Sequence, residues 1–338
     1  MSVDETMMAA HYTAPGPAAT VLTVGRRPAP LPAAGEVRVR LATSGVNPSD
    51  VKSRNGLDGR AMAFPLIVPH SDGAGVIDRV GDGVPTERVG ERVWIWNGQW
   101  RRPFGTAAGF IALPAAQAVP LPAETGFAEG ACLGIPALTA YQGVKLSGAG
   151  AGDTLLVSGG AGAVGRYAIQ MAKARGARVV TTVSSAAKAA LARTAGADLI
   201  VDYRREDAAA RILALTDGRG VDAIVELDLA VNGPLIPRVL RPHGTVAVYG
   251  LTGNETVVAA RWLQRNTVTL RFFLVYDLSP ADRGEAVAGV TGLLQAGRLT
   301  HAIDGRFPLD RIADAHARVE SGQTLGNVIL DLPAAGAL

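Results

Sequence analysis

The stretch Leu155 to Val180, LLVSGGAGAVGRYAIQMAKARGARVV, constrains the fold more than any other part of the chain. Its apolar spacing predicts a strand over Leu155 to Ser158, a helix over Val164 to Arg175 and a second strand over Arg178 to Val183. Between the first strand and the helix, Gly160, Gly162 and Gly165 fit G-x-G-x-x-G. Glycine-rich turns are common in α/β proteins, and the pattern alone is weak. A strand before it and a helix behind it supply the mechanism. The first glycines allow a tight turn with no side chain in the way. A pyrophosphate can then approach backbone N–H groups at the helix start, where the dipole favours anions. Gly165 lets the helix pack close to the sheet. The loop Gly160, Ala161, Gly162, Ala163, Val164 and Gly165 is therefore expected to bind a dinucleotide.

The end of the second strand bears on which dinucleotide. Sites for NAD place an Asp or Glu there to hold the ribose 2′-hydroxyl. Here the sequence reads VVTTVSSAAKAALA and contains no acid. Ser184 and Ser185 end the strand, and Lys188 follows. Hydroxyls and an ammonium hydrogen-bond and neutralise a 2′-phosphate, which a carboxylate would repel. The expected cofactor is NADPH, with Tyr203 and Arg204 flanking the adenine and phosphate.

Further strands are predicted at Asp198–Val201, Val221–Val225, Thr245–Tyr249 and Val268–Val275, and helices at 187–195 and 280–297. Strands alternating with helices imply right-handed crossovers and a parallel sheet. The chain before about Pro122 is different. Short alternating pieces (Glu36–Leu41, Val76–Val80, Arg92–Trp96) are punctuated by Gly and Pro, and no long helix-period segment stands among them. The tail returns to a strand pattern at Asn327–Leu330, which is expected to pack on the first domain. The fold class is thus α/β: a mostly β domain over 1–126, completed by 300–338, and a doubly wound parallel-sheet domain over 127–299.

With 48% hydrophobic and 19% charged residues the chain reads as globular. The formal net charge is +3, and no run of Lys/Arg is interleaved with aromatics, so nucleic acid is not expected. Cys132 is the one cysteine, which excludes an internal disulfide and fits a reducing compartment. The N-terminus MSVDETMMAA lacks the apolar core of a signal peptide, and no apolar run reaches membrane-spanning length. The expected location is the cytoplasm. Trp94, Trp96 and Trp100 cluster; on a strand the first two would share a face, as core or as an apolar wall for a flat ring.

Several segments, in order along nearly the whole chain, resemble the medium-chain dehydrogenase/reductase superfamily, and most of all its quinone oxidoreductase (zeta-crystallin-like) branch. They are GVNPSDVKSRNG (45–56), VPHSDGAGVIDRVGDGV (68–84), VGERVW (89–94), GIPALTAYQGV (134–144), the glycine loop and ESGQTLGNVIL (320–330). The resemblance implies a GroES-like domain followed by a Rossmann domain. Zinc alcohol dehydrogenases share this fold, and the positions matching their catalytic zinc ligands are Asn47, Ser71 and Ile135. None is a good zinc ligand, and the four-cysteine lobe is absent. His70 stands one residue off a ligand position, and its plainer reading is a loop histidine.

The resemblance therefore implies a zinc-independent enzyme. The acceptors that take hydride without a Lewis acid are quinones and conjugated enones, whose charge delocalises. It places Asn47 at the nicotinamide ribose or the substrate oxygen, where an amide can donate to developing charge. Asn-Pro is also a turn signal in its own right. Lys52 stands where many relatives carry a tyrosine, and is a candidate catalytic residue; with Arg54 it could instead attract anionic groups. Thr139, Gly250 and Leu251 are expected along the nicotinamide, Phe273 and Leu274 at its carboxamide, and Asn327 in the tail reaching the cofactor. RFFLVY also reads as an edge strand that pairs with a second subunit, so a homodimer is expected, with a tetramer as the alternative. Two other readings stay open: an NADPH-dependent reductase of 2-enoyl thioesters or alkenals, and a non-catalytic NADPH-binding sensor.

Overall fold

The structure is a computed structural model that describes residues 5–56 and 62–333. Asp4 of the N-terminal segment read above lies outside the described residues. The chain divides into two compact units: one formed by residues through Ile135 together with those from His301, the other Pro136–Thr300. The divide after Ile135 falls nine residues beyond the boundary read from the sequence.

The first unit is built on β1 (Thr6–His11), β2 (Thr23–Pro28), β3 (Glu36–Val46), β4 (Asp72–Val80), β5 (Arg92–Ile95), β6 (Phe110–Pro114) and β7 (Ala118–Pro120). The second carries β8 (Thr154–Val157), β9 (Arg178–Val183), β10 (Leu199–Asp202), β11 (Val221–Glu226), β12 (Leu240–Val248) and β13 (Thr269–Phe272). The chain then returns to the first unit with β14 (Ile303–Pro308) and β15 (Asn327–Asp331).

In the first unit β3 is the hub. It pairs antiparallel with β4, β6 and β15, so the C-terminal strand completes a sheet begun near residue 36. The sheet runs β14-β15-β3-β4-β5-β7. Val37, Val39, Ile77, Val93, Ile95, Ile111 and Leu113 form its core. The alternation seen in Glu36–Leu41 explains how one strand fills it: Val37, Val39 and Leu41 point to one face. Trp94 is wholly buried, but β5 stops at Ile95, so Trp96 leaves the strand and is only half-buried. The two tryptophans do not share a strand face.

Among the helices of the first unit, α1 (Pro48–Asn55) bears on the site. The sequence reading saw only a turn here, and the correction has a local cause. Asn47 occupies the N-cap, Pro48 the first helical position and Asp50 the third, whose carboxylate accepts the Asn47 N–H at 2.8 Å. These are helix-start preferences. With mostly polar residues the helix has no apolar period to announce it.

The second unit holds α2 (Leu138–Ser147), α3 (Ala163–Ala174), α4 (Ala186–Thr194), α5 (Ala208–Leu215) and α6 (Pro280–Gln295); α7 (Ile312–Glu320) belongs to the first. Its six strands are all parallel, in the order β10-β9-β8-β11-β12-β13. This is the doubly wound order that reverses between β8 and β11. Every residue of β8 and β11 is buried, as strands covered on both faces must be. In contrast β13 is an edge, shorter than the sequence suggested, with Phe272 and, just past it, Leu274 about half exposed.

Candidate functional site

At the reversal point the glycine loop leaves β8. Gly159, which the sequence pattern passed over, takes φ 70°, the left-handed region that only glycine enters cheaply. Its N–H reaches the Thr182 hydroxyl (3.2 Å) and the Gly160 N–H reaches the Thr182 carbonyl (3.2 Å), so the loop is tied to β9. A Cβ on Gly160 would collide with Thr181 Oγ1, and one on Gly165 with the Gly159 carbonyl. Packing alone therefore requires glycine at both positions. Gly162 differs. It is the N-cap of α3, and its absent Cβ would meet nothing nearer than 3.3 Å. Only the Gly159 carbonyl is close to it there, beside the Ala163–Val164–Gly165 turn, where the first N–H groups of the helix have no intrahelical partner. This is the cradle a pyrophosphate needs, and a nicotinamide dinucleotide fits it. Ala161 is buried beneath, and Ala163 and Val164 are half-buried at the helix start.

The neighbouring strand end carries a residue that the sequence analysis missed. Glu226, wholly buried at the end of β11, accepts from the Ser158 hydroxyl (2.6 Å), the Asp228 N–H (2.6 Å) and the Asn232 amide (2.7 Å). It joins the ends of β8 and β11 and stiffens the rim of the loop. Leu227 follows between two glycines: a Cβ on Gly159 would strike its side chain and one on Gly250 its carbonyl. Close approach of these backbones is why Gly250 is glycine. Leu251 packs against the sheet core. The nearby Tyr249 hydroxyl is pushed up from its ordinary value by desolvation and by the Glu226 charge.

At the end of β9, Ser184 is half-buried, and Ser185 is the N-cap of α4, its hydroxyl accepting from the Lys188 N–H at 3.3 Å. Lys188 lies on the first turn of that helix, half-buried. Tyr203 follows β10, about half exposed, with its N–H on the Val183 carbonyl (3.1 Å), so its backbone abuts the same strand end. Thr139 is buried in the first turn of α2. Phe273 continues past β13 with its N–H on the Val248 carbonyl (3.2 Å), and its ring lies 6.4 Å from that of Tyr249.

In the first unit the Asn47 side-chain amide donates to Asp72 at 2.9 Å, both residues being buried. Asp50, beneath it, is raised to about 7 because burial outweighs the hydrogen bonds from Asn47. Lys52 is on the exposed side of α1. Arg54 is not available to an external anion: it is wholly buried, donates to the Gly16 carbonyl (2.7 Å) and is ion-paired with Glu320. The expectation that it draws anionic groups is thereby corrected. Asn327 opens β15, and its amide and its backbone N–H both point to the Ala302 carbonyl (3.2 and 2.8 Å).

The three positions matching a catalytic zinc site do not fit the metal. They offer a carboxamide committed to Asp72, the buried hydroxyl of Ser71, and the side chain of Ile135, which has no donor. His70 lies in the loop before β4 and is wholly buried there, with Nδ1 2.9 Å from the Ser44 hydroxyl and Nε2 2.9 Å from Nε2 of His316. Among the described residues no group of three or more His, Cys, Asp or Glu is arranged to hold a metal ion, and no helix is long and apolar enough to cross a membrane.

Two family models match the chain: an alcohol dehydrogenase GroES-like domain over residues 33–123 and a zinc-binding dehydrogenase domain over 163–290. Among curated proteins, it is 31% identical over 310 residues to a quinone oxidoreductase of Mus musculus, covering 89% of this chain and 90% of that one. It is 32% identical over 303 residues to a 2-methylene-furan-3-one reductase of Solanum lycopersicum, covering 87% and 71%. Among solved structures, a mycobacterial protein complexed with NADPH superposes with a TM-score of 0.85 at 31% identity, covering 96% of this chain and 99% of that one. The chain belongs to the medium-chain dehydrogenase/reductase superfamily, in its quinone oxidoreductase branch, and is an oxidoreductase.

Proposed function

We propose that the protein reduces a quinone or a conjugated enone with NADPH, without zinc. The observation that carries this reading is the Asn47 amide held by Asp72 where a zinc enzyme would present a metal ligand. The bound nicotinamide supplies hydride. The protein's own residues bind, orient and stabilise. The glycine turn at Gly162 and the start of α3 receive the pyrophosphate. Ser184 and Lys188 receive the 2′-phosphate, with Tyr203 beside them. Thr139, Gly250, Leu251, Phe273, Leu274 and Asn327 line the remainder of the cofactor. The second N–H of the Asn47 amide donates to the acceptor oxygen as negative charge develops on it. Lys52, exposed on the same helix, is the candidate to return a proton to solvent-facing product.

The furanone reductase and the NADPH complex among the relatives support an enone or quinone acceptor and this cofactor. The burial of Arg54 removes one of the two cations that a phosphate-bearing thioester carrier would use. The half-exposed Phe272 and Leu274 on the β13 edge support a homodimer, and a cytoplasmic location completes the reading. The test follows the near-ultraviolet absorbance of NADPH or NADH against 1,4-benzoquinone, a conjugated enone and crotonyl thioester, with and without chelator. Chelator-resistant turnover of quinone or enone, faster with NADPH, is expected. Chelator-sensitive turnover or a preference for NADH would overturn the reading. Tight NADPH binding with no turnover of any acceptor would point to a sensor instead.

A further inference from the structure

Behind Asn47 runs a buried chain of hydrogen bonds in which each proton has one available place. Thr106 Oγ1 is 2.5 Å from the Asp72 backbone carbonyl. Ser44 Oγ is 2.8 Å from Thr106 Oγ1 and 2.9 Å from His70 Nδ1. His70 Nε2 is 2.9 Å from His316 Nε2. Ser44, His70, Asp72, Thr106 and His316 are all wholly buried.

A carbonyl only accepts, so Thr106 donates to Asp72. A hydroxyl has one proton, so Thr106 must accept from Ser44. Ser44 has then spent its own proton and accepts from His70, which carries its hydrogen on Nδ1. Burial disfavours the charged ring, and a neutral imidazole has one N–H. His70 Nε2 is therefore bare and accepts from His316 Nε2–H. The bonds all point one way, from α7 through β3 to the first residue of β4.

His70 sits at φ 78°, a left-handed conformation unusual for a residue with a side chain. Its carbonyl takes the Thr106 N–H at 3.0 Å, while its ring is held at both nitrogens. Strained backbone of this kind persists only where the surroundings over-determine it. The turn it makes delivers Asp72, whose carboxylate then holds the Asn47 amide.

We infer that His70 and His316 are positioning residues for Asn47, acting through the one-directional chain Ser44–Thr106–Asp72 to fix the orientation of its amide. The inference rests on the role proposed for Asn47, and the experiment separates the two. Nitrogen-15 NMR of the histidine rings in the full chain, assigned with His70→Asn and His316→Gln, reads the tautomers directly. His70 protonated on Nδ1 and His316 on Nε2 is expected; the opposite tautomer at His70, or a cationic ring, overturns the chain.

The Asn47 side-chain amide resonance is the second readout and needs no activity. It moves in His316→Leu and returns towards wild type in His316→Gln, whose amide N–H stands where Nε2–H was. An Asn47 resonance unmoved in His316→Leu overturns the positioning role. In turnover, His316→Leu lowers kcat by roughly tenfold with KM for NADPH unchanged, as expected of a small misplacement, and His316→Gln recovers most of it. Equal losses in the two variants, or a loss confined to KM, overturn the inference. Correct tautomers and a mobile Asn47 resonance, with Asn47→Ala as active as wild type, would instead place the fault in the proposed role of Asn47.

Discussion

The side-chain amide of Asn47 lies 2.9 Å from the carboxylate of Asp72, a residue 25 positions on, and both are shielded from solvent. The contact commits one N–H to Asp72, and on the role proposed for Asn47 the other serves the acceptor oxygen. Asn47→Ala is expected to lower kcat by about a hundredfold, the range found for removing one donor to a developing oxyanion. NADPH affinity, measured by fluorescence titration, changes little. Because the substitution also takes a donor from a buried carboxylate, stability in urea falls by about 1–3 kcal/mol.

Gly165 faces the carbonyl of Gly159 too closely for any Cβ. Gly165→Ala must therefore push α3 off the loop. A loss of about 1–3 kcal/mol in stability is expected from overpacking, accompanied by weaker NADPH binding in calorimetry. Gly162→Ala, whose Cβ would press on the Gly159 carbonyl at 3.3 Å rather than collide with it, is expected to cost less stability than Gly165→Ala while still weakening binding.

Ser184 and Lys188 stand where an NAD-specific site carries an acid. Lys188→Glu replaces attraction with repulsion for a 2′-phosphate. The preference for NADPH over NADH, measured as a ratio of kcat/KM, is expected to fall by about tenfold to a hundredfold, the worth of one charge-assisted hydrogen bond. An unchanged ratio would remove Lys188 from the phosphate site.

Arg54 pairs with Glu320 across 266 residues of sequence and is wholly buried, whereas Glu320 is one-third exposed. Arg54→Ala leaves the Gly16 carbonyl without its donor, while Glu320, one-third exposed, keeps the Asn55 amide at 2.9 Å, and a loss of about 1–3 kcal/mol is expected by chemical denaturation. Arg54→Met, which keeps the stem, loses less.

Burial and the Arg54 charge lower His316 to about 3, and burial with its neighbour His316 lowers His70 well below the ordinary histidine value. Both rings are neutral in the folded state and take up protons near 6.5 when unfolded. Their contribution to stability is full above pH 6.5 and is lost as pH falls below it, for His316 towards 3. The slope reaches about 1.4 kcal/mol per pH unit for each histidine. Asp50, raised to about 7, acts in the opposite sense: its contribution is full below 3.8 and lost as pH rises through 7. Comparing urea midpoints of wild type and His316→Gln across pH 4–7 isolates the histidine part, and the variant is expected to show the shallower fall.

Much of the second unit was legible because its signals are local. The alternation of apolar strands with helices, and glycines at a strand-to-helix turn, announce themselves within a few dozen residues, since period and backbone conformation are set by near neighbours. Even there, Gly159 escaped the motif though it alone in the loop takes a positive φ, because the pattern records spacing and not conformation.

In the first unit the sequence by itself determined the short strands, the stop signals and the absence of good metal ligands at Asn47, Ser71 and Ile135. Only the tertiary structure decided what the polar residues do. Arg54, read from the sequence as a cation that could attract anionic groups, is wholly buried because Glu320 and the Gly16 carbonyl meet it there. His70, one position from a ligand site, is engaged on both ring nitrogens because β15 pairs with β3 and α7 packs beside them, bringing position 316 to position 70. Such pairings span hundreds of residues and repeat at no period. A hydrogen bond is specific to two atoms, so its partner becomes visible only when the sheet has set the register that brings them together.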